Sequence, residues 1–180
     1  ELNDDDRHLC DIILNHSGRM EGIIQNVLQI SRRSSSEAQW ISLHHWLTKF
    51  ISDFTQQHHV AIELSGVDLD IRFDPSQLHQ VLWNLCSNAV RYGQVNKERP
   101  IYIKLGRINQ WAVMTIEDHG PGIAPKEMNY LFEPFHTTSA QGNGLGLYLV
   151  KELCDANHAE IRYHRKERGA SFDILFARDF

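Results

Sequence analysis

The stretch G-N-G-L-G-L-Y-L-V, residues 142–150, puts glycine at every second position, Gly142, Gly144 and Gly146, and then runs into an apolar, helix-like segment. Glycine inside a helix or strand costs roughly 0.5–1 kcal/mol relative to alanine. Three at this spacing therefore imply a backbone that something approaches closely. A helix start offers unpaired amides and a partial positive charge, and glycines ahead of it let the backbone close around phosphate oxygens. This is not the Walker A loop, since no G-K-[ST] follows, nor the dinucleotide fingerprint, since no βαβ unit precedes it. A close-packed helix start with no ligand is the plain alternative, and the surrounding sequence has to decide.

Three further segments lie upstream. In L-F-E-P-F-H-T-T, residues 131–138, Phe132 and Phe135 flank a proline ahead of a small, polar run. That arrangement reads either as ordinary core aromatics or as a lid anchored by apolar plugs. In E-D-H-G-P-G-I, residues 117–123, a strand ends in Asp118 before Gly120 and Gly122. A turn would explain it. A carboxylate fixed at a strand end would also accept a hydrogen bond from the exocyclic amine of adenine and reject guanine, which presents a carbonyl there. In N-L-C-S-N-A-V-R-Y, residues 84–92, Asn84 and Asn88 are four apart on a helix, with Arg91 and Tyr92 on the next turn. Alone this is a polar surface stripe. Beside the apolar Leu82, Leu85 and Cys86 the carboxamides need partners, and their oxygens suit Mg²⁺.

Taken in order, the asparagine helix, the Asp-Gly turn, the aromatic lid and the glycine-led helix resemble the ATP-binding domain of sensor histidine kinases. That domain belongs to the wider superfamily that includes gyrase and the mismatch-repair MutL ATPases. N-L-C-S-N-A looks like the N box, D-H-G-P-G-I the first glycine box, F-E-P-F the F box and G-N-G-L-G-L the second glycine box. The wording L-Y-L-V and E-L-C-D-A-N is most similar to the nitrogen-regulation and type IV pilus branch. The resemblance implies that Asn88 coordinates Mg²⁺ with Asn84 assisting, and that Arg91 contacts phosphate where the family more often has lysine. Tyr92 would line the adenine pocket, Asp118 would bind the adenine amine, and Gly120 and Gly122 would shape that pocket. Cofactor contacts are implied at Phe132, Phe135, Thr137 and Thr138, and at Gly142, Gly144, Leu145, Gly146 and Leu147 around the triphosphate. Two positions depart from the pattern: His119 stands where asparagine is common, and the lid lacks the lysine that often follows the two threonines.

The rest of the chain is compatible with this. It has 180 residues, 42% hydrophobic and 23% charged, with a net charge of -5, which reads as soluble and globular and argues against a general nucleic-acid surface. Three separated cysteines, Cys10, Cys86 and Cys154, suggest reduced thiols in a cytoplasmic setting. No run approaches a membrane span. Leu9, Ile13, His16, Met20, Ile23, Val27 and Ile30 form a heptad seam, so residues 1–33 read as one long helix and 34–39 as a linker with a serine run. By resemblance, 1–33 is the second helix of the dimerisation and phosphotransfer hairpin, and 40–180 the catalytic domain.

Within 40–180 the pattern predicts a two-layer α/β sandwich, with helices on one face of a mixed, largely antiparallel sheet. Ser42 is the expected cap of a helix carrying Leu43, Trp46, Leu47, Phe50 and Phe54. V-A-I-E-L-S-G and L-D-I-R-F-D-P read as a hairpin joined near Gly66. Asp74, Pro75 and Gln77 open the next helix as cap, first-turn proline and capping-box partner. A short amphipathic helix is expected near K-E-M-N-Y-L-F, and a closing strand pair around Gly169.

The expected chemistry is transfer of the γ-phosphoryl of ATP to a histidine on a phosphotransfer helix not in this chain, for relay to a response regulator. The resemblance implies a homodimeric full-length kinase anchored in the bacterial inner membrane with this portion cytoplasmic. His8 and His16 lack the family's acceptor pattern, so this piece is not expected to phosphorylate itself. The adjacent pairs His44-His45 and His58-His59 read as surface or interface residues. Two alternatives are an ATP hydrolase of the same superfamily, against which Asn84 argues because an amide cannot activate water, and a nucleotide-responsive binding module without catalysis.

Overall fold

The computed structural model describes residues 37–96, 98–139 and 142–177, together with residues 9, 10, 13, 17 and 20. The serine run of the linker, residues 34–36, therefore lies outside the described residues, and Gln39 at the end of the expected linker already belongs to a strand. The heptad helix lies largely outside the described residues. Those within it are helical, and Leu9, Ile13 and Met20 are exposed.

Five strands form the main sheet in the order β2 (Ile62–Gly66), β4 (Ile101–Ile108), β5 (Trp111–Glu117), β7 (Ala170–Phe176) and β6 (Ala159–Arg165). β2 runs parallel to β4 and all other pairs are antiparallel. Alternate residues, among them Ile101, Ile103, Met114, Ile116, Phe172 and Ile174, face a core roofed by three helices: α1 (Leu43–His58), α2 (Pro75–Tyr92) and α3 (Gly146–Ala156). The apolar stripe read from sequence on α2 is buried in full, from Leu78 through Val81, Leu82, Leu85 and Cys86 to Ala89. Burial pushes the Cys86 thiol up to about 12, and burial followed by the nearby Asp155 raises Cys154, so both stay protonated near neutral pH. Among the described residues no helix is long and apolar enough to cross a membrane.

The expected hairpin at Gly66 does not form. β2 joins the main sheet, whereas β3 (Asp70–Phe73) pairs with β1 (Gln39–Ser42) in a separate two-stranded sheet. Gly66 presses on β4, where a Cβ would lie 1.9 Å from the Leu105 carbonyl oxygen. The chain then leaves the sheet to serve the start of α1. Leu69 is buried and its carbonyl accepts from the Leu43 amide at 2.8 Å, and the Asp68 carboxylate accepts from the His44 amide at 3.1 Å. Asp68 thus does the capping expected of Ser42, whose hydroxyl donates to Asp68 instead. Period-two alternation reports a half-buried extended segment and not the identity of its neighbour.

At the start of α2 the Asp74 carboxylate accepts from the Ser76 and Gln77 amides at 2.8 and 3.2 Å, as expected. Gln77 does not complete the capping box. Asn157, just past α3, accepts from the Asp74 amide at 2.8 Å and donates to Gln77 Oε1 at 2.6 Å and to the Leu153 carbonyl at 2.8 Å. The K-E-M-N-Y segment forms a 3-10 turn, Pro125–Tyr130, with no buried residue, too short and proline-led to settle as an α-helix. His44, His45 and His59 are exposed, but His58 is half-buried, stacked on Phe54 at 4.3 Å with its Nε2 enclosed and without a hydrogen-bond partner among the described residues.

The other sheet face carries a charge ladder. Glu117 accepts from Lys104 at 2.7 Å and from Lys166, and Asp173 accepts from Thr115 at 2.7 Å and pairs with His164 at 2.9 Å. Burial raises the Glu117 carboxyl, but the hydrogen bonds from the two lysines outweigh it and hold the group below its ordinary value of 4.5. A folded-state value below the unfolded one means that the stabilisation is complete above 4.5 and is lost as the pH falls through the lowered value. Glu117→Gln is expected to cost about 1 kcal/mol in urea unfolding near neutral pH. In strong acid, where the wild-type carboxyl is protonated, the two proteins should coincide. A deficit that persists there would make the role steric.

Candidate functional site

Asp118 extends β5 by one residue, its amide donating to the Ala170 carbonyl at 3.0 Å. Its Oδ1 accepts from the Gly120 amide at 2.8 Å and from the Ala170 amide at 3.1 Å, while no hydrogen bond to Oδ2 is made among the described residues. One oxygen is spent on holding the carboxylate and the other is free for a ligand. Gly120 is buried against the end of α2, and Gly122 packs on the Gly169 carbonyl. His119 lies edge-on to Tyr102 at 5.3 Å, with Nε2 buried and without a hydrogen-bond partner among the described residues.

Asn84 and Asn88 share one side of α2, both half-buried. Asn84 Nδ2 is buried without a hydrogen-bond partner among the described residues, and Asn84 Oδ1 faces Gly146 at the start of α3. Leaving such a donor unmade costs about 1–3 kcal/mol, which a ligand accepting from it would recover. Arg91 and Tyr92 are exposed, the guanidinium 6.0 Å from the ring centroid.

The two phenylalanines expected to plug the lid differ. Phe132 packs on the core, whereas Phe135 is 67% exposed with φ +64°, a conformation bulky residues rarely adopt. Its backbone is held by Gly144, where a Cβ would lie 2.4 Å from the Phe135 carbonyl carbon. Gly142 likewise packs on the Thr137 hydroxyl, which accepts from the Ser139 amide at 3.1 Å, and Thr138 is exposed. The close approaches at Gly142 and Gly144 are thus to the base of the lid itself. Gly146 differs, since among the described residues outside its own helix a Cβ there would meet Asn84 Oδ1 alone, at an ordinary contact distance of 3.7 Å. The first amides of α3 have no intrahelical partner, Leu145 is buried behind them and Leu147 is half-buried. The Asn84 carboxamide thus lies beside this helix start.

Residues 73–179 match the family described as histidine kinase-, DNA gyrase B-, and HSP90-like ATPase, and every element of this site falls within that segment. The chain belongs to this family. A curated relative, the sensor protein kinase PilS of Pseudomonas aeruginosa strain PAO1, is 41% identical over 98% of the chain and 35% of its own length. The histidine-protein kinase ArlS of Staphylococcus aureus is 26% identical over 92% of the chain and 39% of its own. The chain therefore spans a little over a third of these relatives. In fold it is similar to Acinetobacter baumannii histidine kinase AdeS (TM-score 0.74, 23% identity, 98% of this chain and 86% of that one). It is also similar to full-length ShkA solved with AMPPNP (TM-score 0.75, 22% identity, 98% and 39%).

In this ATPase-family domain several residues outside the motifs shape the site, and the sequence did not single them out for it. The β6–β7 turn clamps the first glycine loop: the Gly169 amide donates to the Gly120 carbonyl at 2.7 Å, and the Tyr163 hydroxyl accepts from the Ile123 amide at 3.1 Å. Asn143 Oδ1 accepts from the Leu145 amide at 3.1 Å, bracing the start of α3. His136 Nε2 contacts Glu127 Oε2 at 2.6 Å and so ties the lid's base to the 3-10 turn. Gly93, next to Tyr92, ends α2 and touches Asp118, a contact that follows from the fold.

Proposed function

We propose that this chain is the catalytic portion of a sensor histidine kinase, which holds ATP with Mg²⁺ and passes the γ-phosphoryl group to a histidine on a phosphotransfer helix. The observation that carries the reading is Asn84, whose buried Nδ2 has no partner among the described residues and whose Oδ1 lies beside the glycine-led start of α3, on the same helix whose end abuts Asp118. One helix thereby addresses both a phosphate site and a purine site. Asp118 Oδ2 would take the adenine amine, and the α3 amides at Gly146 and Leu147 the phosphate oxygens. Asn84 and Asn88 offer carboxamide oxygens of the kind Mg²⁺ accepts beside water and phosphate. Bound Mg²⁺ neutralises charge on the transferring group.

Such transfer needs positioning more than covalent help from the protein, which suits a site built of amides and backbone. Asn84 cannot deprotonate water, which favours a histidine acceptor over hydrolysis. The 41% identity to a named sensor protein kinase supports the same assignment. We read residues 1–33 as a phosphotransfer-hairpin helix and 40–180 as the catalytic domain. In the longer protein this portion would be cytoplasmic, joined to an inner-membrane anchor and paired as a homodimer that serves a response regulator.

Calorimetric titration with ATP and GTP, each with and without Mg²⁺, should show adenine-selective binding strengthened by Mg²⁺. Incubation with γ-labelled ATP and a supplied hairpin bearing an acceptor histidine should then label the hairpin. Steady phosphate release without labelling would make the protein a hydrolase. Selective binding with neither would leave a nucleotide-responsive module, and no binding at all would overturn the proposal.

A further inference from the structure

We infer that Gly93, the residue that ends α2, is a specificity-determining position: the space left by its missing side chain sets where the Asp118 carboxylate stands, and so which purine the site accepts. The inference rests on the adenine reading of Asp118 given above. A Cβ on Gly93 would lie 2.7 Å from Asp118 Cβ and 2.9 Å from Asp118 Cγ, and 2.4 Å from the Ala89 carbonyl oxygen. Across the same contact, a Cβ on Gly120 would lie 2.4 Å from the Tyr92 carbonyl oxygen and 2.9 Å from Gly93 Cα. The end of α2 and the Asp118–Gly120 turn therefore meet backbone to backbone, with the carboxylate between the helix and β7.

The Gly93 backbone itself, at φ -83° and ψ 3°, is open to any residue. What excludes a side chain is contact with Asp118 and the preceding helix turn. A methyl group added there has to displace either α2 or the carboxylate. α2 is anchored by Leu82, Leu85, Cys86 and Ala89 in the core. Asp118 is held through Oδ1 by two loop and strand amides, so it is the softer side. Hydrogen bonds weaken steeply with misplacement, so a moved Oδ2 loses the adenine amine. Guanine offers no amine at that place and has nothing to lose. Gly93 is thus a positioning residue that acts through Asp118 and ties the purine end of the site to the helix bearing Asn84 and Asn88.

The test is calorimetry on the wild-type chain and on Gly93→Ala, with ATP, GTP and tripolyphosphate, each with Mg²⁺, alongside thermal unfolding. Gly93→Ala is expected to raise the dissociation constant for ATP by about tenfold or more while GTP and tripolyphosphate stay within about twofold. In an Asp118→Asn background the same substitution should change ATP binding no further, which a general loosening of the fold would not predict. Should Gly93→Ala fail to fold, Gly120→Ala presses on the same contact from the other side, its Cβ 2.4 Å from the Tyr92 carbonyl oxygen and 2.9 Å from Gly93 Cα, and should show the same ligand pattern. Equal losses for all three ligands, or undiminished ATP selectivity, would overturn the role of Gly93. A wild-type chain that binds ATP and GTP alike would instead overturn the adenine reading of Asp118 itself.

Discussion

Asp118→Asn is expected to abolish preference for adenine, weakening ATP binding by roughly 30- to 900-fold, or about 2–4 kcal/mol, with GTP little changed. The substitution keeps size and shape, and an amide oxygen can still accept from the Gly120 and Ala170 amides that hold Oδ1 at 2.8 and 3.1 Å. The turn and its β5–β7 ladder therefore survive, and the thermal midpoint should move little. What changes is the second atom, where an acceptor becomes an NH2 group facing the adenine NH2. Two donors then meet in a partly buried pocket, and the charge-assisted bond is lost as well. Calorimetry with ATP and GTP reads both effects. Retained ATP selectivity in the mutant would place purine recognition elsewhere in the site.

The largest loss of stability is expected at Asn157, outside the asparagine, glycine and phenylalanine boxes. Its side chain satisfies the Asp74 amide, Gln77 Oε1 and the Leu153 carbonyl, and the residue is only 7% exposed. Asn157→Ala leaves the buried Asp74 amide without a partner and opens a gap between the start of α2 and the end of α3. Unmet buried groups cost about 1–3 kcal/mol each, so a total near 3 kcal/mol is expected in urea unfolding. Asn157→Asp would keep the acceptor for the Asp74 amide but lose both donations and add a charge near the Asp74 carboxylate, so it should recover little. A loss below about 1 kcal/mol for the alanine variant would mean that water replaces the bridge. ATP affinity should change only as far as the folded fraction does, because the bridge lies at the opposite end of α2 from Asp118.

Sequence periodicity and turn chemistry were enough to read the two-layer architecture, the buried stripe of α2, the Asp74 cap and the strands from Ile101 onward. Each depends on neighbours a few residues apart, and local spacing is what an amino-acid sequence displays directly. The same holds for the site's parts: Asn84 with Asn88 on one helical face, Asp118 at a strand end, and glycines leading a helix. Their meaning as a set came from their order along the chain and its resemblance to a known ATP-binding domain.

Only the tertiary structure decided which strand lies beside β2, because the alternation in I-E-L-S-G is equally compatible with β3 and with β4. It also assigned the glycines different work: Gly142 and Gly144 make room for the base of the lid, while Gly146 lies beside the Asn84 carboxamide. Phe132 and Phe135 look alike in sequence, yet one packs on the core and the other is turned outward by a backbone that Gly144 holds. The contacts of Gly93 with Asp118, Tyr163 with Ile123 and Asn157 with Asp74 join segments distant in the chain. The sequence by itself determined which residues are candidates for holding a nucleotide. Where the free oxygen of Asp118 stands, and what keeps it there, was decided by close packing between distant segments, which no local pattern encodes.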